Sequence, residues 1–288
     1  MGKPMDGRVA LVTGATNGIG RATAKEIARM GARTLIVARD PARGEAAARE
    51  IREATGGTVE PLVADLSSQA QVRALAAAVR ERTGRLDLLV NNAGAIFAGR
   101  ELSVDGVEMT LALNHLAYFL LTRELLPLMQ ELPDARVVNV SSVAHESGVI
   151  DFEDLQLERR YGMWRAYAQS KLANVLFTRE LARRVAGSGV SANALHPGAV
   201  ASGFGRNHPG LFGRLVAIGA PFLSSPARGA RTTLHVATDP GLRGVSGRYF
   251  SSCRERTPSR AARDDGTASR LWKISEAMTQ TQTRPDPT

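Results

Sequence analysis

The sequence predicts a single doubly wound α/β domain, with a mostly parallel seven-stranded sheet and helices on both faces. Short β-rich apolar runs alternate with amphipathic helical segments from the start of the chain to about residue 250. Before residue 251 no linker-like stretch, low-complexity segment or repeat of fixed period breaks that alternation. The 288 residues are 43% hydrophobic and 23% charged, an ordinary globular composition able to bury a full core. Residues 1–250 are read as one domain, and 251–288 as a basic C-terminal extension with one short helix.

The elements follow in order. A first strand over 8–13 runs into a glycine-rich turn and a helix to about residue 30. After a strand over 34–38, Asp40 caps a helix with Pro41 at its first position; Thr55, Gly56 and Gly57 end it. A third strand covers 58–63. Ser67 or Ser68 then caps a helix to about residue 82, which Gly84 breaks before the fourth strand, 86–90. A long helix is expected over 106–132, with Pro133 beyond it, then a fifth strand over 136–141. An irregular segment, 143–162, precedes a helix over 164–186 that Gly187 and Gly189 close. The sixth strand is 190–195. Ser225 and Pro226 open another helix, the seventh strand is 246–250, and a last helix spans 268–278.

Composition narrows the function. The net charge of +9 could suit nucleic acid, but the arginines are interleaved with acids, as in Arg43, Glu45, Arg49, Glu50, Arg52 and Glu53. Aromatics, at 5%, do not alternate with the basic residues, so no base-stacking platform is expected and no nucleic-acid partner. The single cysteine, Cys253, excludes an internal disulfide and a cysteine-based zinc site. Residues 1–7 are short and polar, and the apolar run after them has strand length, so no signal peptide and no membrane span are expected. The protein is expected to be soluble and cytoplasmic.

The first strand leads directly into Thr13-Gly14-Ala15-Thr16-Asn17-Gly18-Ile19-Gly20, which opens a helix. Gly14 permits the sharp turn, Gly18 leaves room for a pyrophosphate, and Gly20 lets the helix pack close to the sheet. Free N–H groups and the positive end of the helix dipole then face phosphate. Strand before and helix after make this a dinucleotide cradle of the Rossmann type rather than an ordinary turn. At the end of the second strand an acid would accept a ribose 2′-hydroxyl. This chain has Ala38 and Arg39 there, with Arg43 one turn on, and a guanidinium suits a 2′-phosphate. The expected cofactor is NADP(H).

Three further segments complete a pattern: Asn91-Asn92-Ala93-Gly94 after the fourth strand, Ser141-Ser142 after the fifth, and Tyr167-Ala168-Gln169-Ser170-Lys171 in a helix. Together with the glycine turn they resemble the short-chain dehydrogenase/reductase family over residues 8–250. Leu113-Asn114-His115-Leu116, Val138 to His145, Ser170 to Asn174 and His196-Pro197-Gly198 are similar to its retinol dehydrogenase-like branch, as is the wide spacing from Ser142 to Tyr167. Members of that branch often carry an N-terminal membrane segment, which is not expected here.

The resemblance implies an oxidoreductase whose chemistry is carried by Asn114, Ser142, Tyr167 and Lys171. It implies that Gly14, Thr16, Asn17, Gly18, Ile19, Gly20, Arg39, Asp65, Leu66, Asn91, Ala93, Gly94, Tyr167, Lys171, Pro197 and Gly198 hold the cofactor. Asp65 would lie near the adenine, and Pro197 and Gly198 by the nicotinamide. Asn114 would hold a water linking Lys171 to solvent. Hydride reaching a carbonyl leaves an alkoxide, so the protein must supply a proton. Tyrosine ionises near ~10 when unperturbed, and a nearby cation lowers that value. Lys171 lies one helical turn beyond Tyr167, on the same face, and is expected to do this. Ser142 would donate to the substrate oxygen as charge develops there.

His115, His145 and His196 are read as structural, because no pair has metal-ligand spacing with a carboxylate partner. Residues 199–224 combine five glycines, among them Gly203 and Gly213, with apolar residues such as Phe204, Leu211 and Phe222. They follow the sixth strand and are expected to close over a fairly apolar carbonyl or alcohol. Alternatives are reduction of a conjugated double bond and a redox sensor that binds NADP(H) without turnover. By the resemblance a homodimer paired through the two long helices is possible.

Overall fold

The computed structural model describes residues 2–198 and 225–280. Strands and helices alternate: β1 (Val9–Thr13), α1 (Gly18–Arg29), β2 (Arg33–Ala38), α2 (Pro41–Thr55), β3 (Val59–Val63), α3 (Gln69–Thr83) and β4 (Leu88–Asn91). A helix in three parts follows: α4 (Met109–Leu111), a π turn (Ala112–Leu116) and α5 (Ala117–Gln130). Then come β5 (Ala135–Val140), α6 (Met163–Arg184), β6 (Val190–His196), α7 (Pro226–Thr238), β7 (Tyr249–Ser251), β8 (Arg254–Arg256) and α8 (Asp265–Met278).

The strands order as β3-β2-β1-β4-β5-β6-β7-β8, all parallel except the antiparallel β7–β8 pair. Alternation along each strand feeds two cores. In β1, Val9 and Leu11 join Phe119, Leu125, Phe177 and Leu181 beneath α3, α5 and α6. Ala10 and Val12 face the other way, with Ile27, Ile51 and Val236 of α1, α2 and α7.

Local chemistry sets most boundaries where the sequence places them. The Asp40 carboxylate accepts the Arg43 N–H at 2.7 Å, and Gly56 and Gly84 take the left-handed conformation that ends α2 and α3. Of the two serines before α3, Ser68 is the cap. Pro61, which cannot donate to a ladder, sits in β3 at the sheet edge.

Two expectations are corrected. The sheet has eight strands, not seven, because the chain reverses at Ser252 and Cys253 and pairs back as β8. Both turn residues have positive φ, 53° and 57°, a conformation that their residue types do not announce. The long helix begins at Met109 rather than near residue 106, because the buried Glu108 carboxylate accepts the N–H groups of Thr110 and Leu111 at 2.8 and 2.7 Å. It then widens into the π turn at Ala112–Leu116. The segment read as an extension packs α8 against α6: Trp272 is buried, with its ring 4.9 Å from Phe119 and 5.8 Å from Phe177.

Candidate active site

From β1 the chain builds outward to β2 and β3, then crosses to β4 on the other side, so the strand order reverses between β1 and β4. That reversal leaves a crevice at the carboxyl ends of the strands. A cleft of about 1290 Å³ opens there. It exceeds the roughly 300–1,000 Å³ of a drug-sized site, leaving room for a dinucleotide with a substrate beside it.

The glycine turn forms one wall. A Cβ on Gly14, whose φ is +64°, would lie 2.8 Å from the Ala93 Cα, and one on Gly20 would lie 2.3 Å from the Gly14 carbonyl oxygen. Gly18 also has positive φ. Asn17 precedes α1 in an extended conformation with no side-chain cap bond, so no side chain caps the first N–H groups of α1, whose residues Gly18, Ile19 and Gly20 border the cleft. The turn is held by Asn92, whose Nδ2 donates to the carbonyls of Thr13 and Gly14 at 2.8 and 3.3 Å. The Thr13 hydroxyl accepts the N–H groups of Asn92 and Ala93 at 2.9 and 3.0 Å. A cradle of backbone donors with no room for side chains fits a dinucleotide pyrophosphate.

At the far end of the cleft lie Ala38, Arg39, Arg43, Asp65 and Leu66. Arg39 and Arg43 are exposed, and among the described residues neither makes an ion pair. Asp65 is turned toward Ser67, whose N–H and hydroxyl donate to its carboxylate at 2.9 and 2.7 Å. Thr16, Ile19, Gly94, Pro197 and Gly198 complete the lining on the remaining sides.

The expected chemical residues converge at the floor. Tyr167 and Lys171 share one face of α6, both buried, and both border the cleft with Ser142. The Ser142 and Tyr167 hydroxyls are hydrogen-bonded. The Ser142 Oγ also accepts the Ala144 N–H at 3.2 Å. Lys171 Nζ donates to the Val140 carbonyl at 3.1 Å and lies 5.6 Å from the centre of the Tyr167 ring. Asn114 stands behind the wall in the π turn. It exchanges two 2.9 Å hydrogen bonds with the backbone of Ala95, and its Nδ2 donates to the Ser170 hydroxyl at 3.1 Å. Gly94 separates it from Lys171: a Cβ there would lie 3.1 Å from Asn114 Oδ1 and 3.5 Å from Lys171 Nζ. Widened helical turns of this kind recur at functional sites.

Electrostatics in this cleft differ from the simple expectation. Burial pushes Tyr167 up to about 12, opposed by its hydrogen bond from Ser142. Burial also pushes Lys171 down to about 7. For both groups burial, which penalises the charged form, is the largest cause.

Asn91 does not border the cleft, unlike the other residues expected there. It ends β4 with its side chain inside, where Nδ2 donates to Thr122 Oγ1 at 3.0 Å and to Asn139 Oδ1 at 2.9 Å. Strand alternation sends Asn91 inward and leaves the cleft side to Asn92, a residue the sequence reading passed over. Ile96, Phe97, Met109, Leu113 and His196 also line the cleft. Ile96 packs on Ala144, Tyr167 and Ala168. His115 and His145 are buried in the packing around the site. No group of three or more His, Cys, Asp or Glu among the described residues could hold a metal. No helix among them is long and apolar enough to cross a membrane. The closing segment expected over 199–224 lies outside the described residues.

The short chain dehydrogenase family model matches residues 8–209. Retinol dehydrogenase 12 from Homo sapiens is 46% identical over 273 residues, which cover 94% of this chain and 86% of that protein. The solved structure of an uncharacterized protein from Mycobacterium paratuberculosis superposes with a TM-score of 0.77 at 37% identity, over 98% of this chain and 96% of that one. An actinorhodin polyketide ketoreductase variant solved with NADPH superposes with a TM-score of 0.70 at 29% identity, over 88% of this chain and 98% of that one.

Proposed function

This chain belongs to the short chain dehydrogenase family, whose retinol dehydrogenases it resembles, and on that premise we propose that it is an NADP(H)-dependent oxidoreductase of apolar carbonyls and alcohols. Membership makes it a nicotinamide-dependent oxidoreductase; the cofactor's phosphate, the substrate class and the residue roles are the proposal. The observation that carries it is the meeting of Ser142, Tyr167 and Lys171 on the floor of a cleft whose opposite end presents Arg39 and Arg43.

When bound, the nicotinamide supplies or accepts the hydride. The glycine cradle and the start of α1 would hold the pyrophosphate, and Arg39 and Arg43 would meet the 2′-phosphate. Tyr167 Oη gives its proton to the alkoxide oxygen in reduction and takes it back in oxidation. Ser142 Oγ, which already accepts from Ala144, donates to the same substrate oxygen as its charge grows. Lys171, whose Nζ donates to the Val140 carbonyl, would reach the cofactor's ribose, and Asn114 would carry a water that links Lys171 to solvent. The apolar character of the substrate is supported by Ile96, Phe97, Met109 and Leu113 on the remaining wall.

The test is a titration of the purified protein with NADPH and NADH, followed by turnover on a panel of aldehydes, ketones and enones of graded apolarity. Tighter NADPH binding and reduction of the apolar aldehydes or ketones are expected. Equal affinity for both cofactors would sink the NADP(H) assignment, turnover of enones alone would replace carbonyl reduction, and tight binding without turnover would make the protein a sensor.

A further inference from the structure

We propose that the C-terminal segment after β8 is part of the catalytic scaffold, its Ser259 and Ser275 holding two buried histidines, His145 and His115, that position Ser142 and Asn114. The segment lies beyond residues 8–209, the stretch that matches the family model. The inference rests on the roles proposed above for Ser142 and Asn114.

His145 makes the first tie. Its Nδ1 is 2.8 Å from the Ser142 carbonyl oxygen, and the Ser259 N–H points at its Nε2 across 3.3 Å. A carbonyl only accepts and an N–H only donates. Both contacts are satisfied by one form of the ring: neutral, with the proton on Nδ1. The ring is fully buried and packs on Tyr249 at 4.8 Å. Burial lowers its tendency to protonate, opposed by the Ser142 carbonyl and by Glu146; His196 also lies close. The tie reaches the hydroxyl through a short path. Ser142 caps a 3-10 turn, Val143–Ser147, and its Oγ orientation depends on the Ala144 N–H within that turn. Gly148 closes the turn so tightly on α6 that a Cβ there would lie 2.5 Å from the Ala168 carbonyl oxygen. The turn therefore sits between α6 on one side and Ser259 on the other.

His115 makes the second. It follows Asn114 in the π turn, is 1% exposed, and its Nε2 is 2.8 Å from the hydroxyl of Ser275, itself 1% exposed. The π turn thus presents Asn114 to Ala95 and the next residue to α8. Around this contact α8 is sealed by Trp272, which packs on Phe119 and Phe177 and lies under the Arg184 guanidinium at 4.3 Å. The two ties enter from opposite ends of one segment and act on two different residues of the site.

The test uses Ser275→Ala, Ser275→Thr and His145→Asn in the full-length protein, beside the unmutated chain and Tyr167→Phe. Asparagine places its amide where Nδ1 was, so it can still donate to the Ser142 carbonyl but cannot reach Ser259. NADPH-dependent turnover that is lost in Tyr167→Phe establishes the underlying reading. Ser275→Ala and His145→Asn are then expected to lower kcat about tenfold or more with the Kd for NADPH within about twofold. Ser275→Thr should recover most of the loss, and the two effects should multiply in the double variant, since they act on separate residues. Unchanged kcat, or losses that track only weakened NADPH binding or thermal stability, would overturn the proposal.

A second readout needs no turnover. In the ligand-free protein, nitrogen-15 resonances of His145 should report the Nδ1-protonated neutral ring. Ser275→Ala should shift the amide signal of Ala95, which donates to Asn114. A ring protonated on Nε2, or an Ala95 amide indifferent to Ser275, refutes the ties even if the protein proves to reduce no carbonyl.

Discussion

Arg39 and Tyr167 mark the two ends of one cleft, and each invites a single-residue experiment. Arg39 is exposed at the end of β2 beside Ala38; of the two carboxylates at that end, Asp40 is engaged by the Arg43 N–H and Asp65 by Ser67. Arg39→Ala should weaken NADPH by about 1.5–3 kcal/mol, the value of a charged hydrogen bond, and leave NADH nearly unchanged in a direct titration. Equal losses for both cofactors would remove the guanidinium from the 2′-phosphate. Tyr167 is held up to about 12 in the ligand-free cleft, and its phenolate therefore forms only at alkaline pH. Alcohol oxidation, which needs the phenolate as base, should rise with pH. Carbonyl reduction, which needs the phenol, should persist through neutrality and fall only where Tyr167 ionises. Burial holds Lys171 down at about 7, so above that pH it carries no charge to favour the phenolate, and replacing it with methionine should leave the alkaline limb of oxidation near its place. A limb that moves to higher pH would show a charged Lys171 acting on the ionisation of Tyr167.

Among the elements, the turn between β1 and α1 was the most legible in the sequence. Gly14, Gly18 and Gly20 are required there by positive φ or by contact with backbone, so residue type and position carry the same information. Gly20→Ala should abolish tight NADPH binding, because its Cβ would meet the Gly14 carbonyl at 2.3 Å. Gly189→Ala, whose Cβ would lie 1.7 Å from the Leu132 carbonyl far from the cleft, should destabilise by about 1–3 kcal/mol with NADPH affinity retained. Chemical denaturation and a cofactor titration on both variants check the contrast; similar affinity losses would deny the turn its special role. Less legible was β8, where Ser252 and Cys253 reverse the chain without glycine or asparagine to signal it. The π turn was not legible either, since widening by one residue leaves the apolar period of the surrounding helix nearly intact. Asn91 and Asn92 are chemically identical, and only strand register decides that the second faces the cleft while the first joins Thr122 and Asn139 inside.

At the scale of the whole molecule, the sheet order and the two-sided core follow the strand-helix alternation that the sequence displays. The docking of α8 does not, because its exposed face is as polar as that of a free extension and only Ala268, Leu271, Trp272 and Ser275 are buried. Trp272→Ala should cost about 3–5 kcal/mol of global stability, as for a large buried ring, and should lower the midpoint of unfolding. A cost near zero would leave α8 as a peripheral appendage. The most direct test of the central assignment compares the unmutated protein with Tyr167→Phe in NADPH and an apolar aldehyde. Nicotinamide absorbance follows turnover and nicotinamide fluorescence follows binding. The assignment predicts NADPH consumption by the unmutated protein, and in Tyr167→Phe a Kd for NADPH within about twofold but turnover reduced at least a thousandfold, at the upper end of the roughly 10²–10⁴ contributed by a positioned general acid. Substantial turnover by Tyr167→Phe, or none by the unmutated protein, would contradict it.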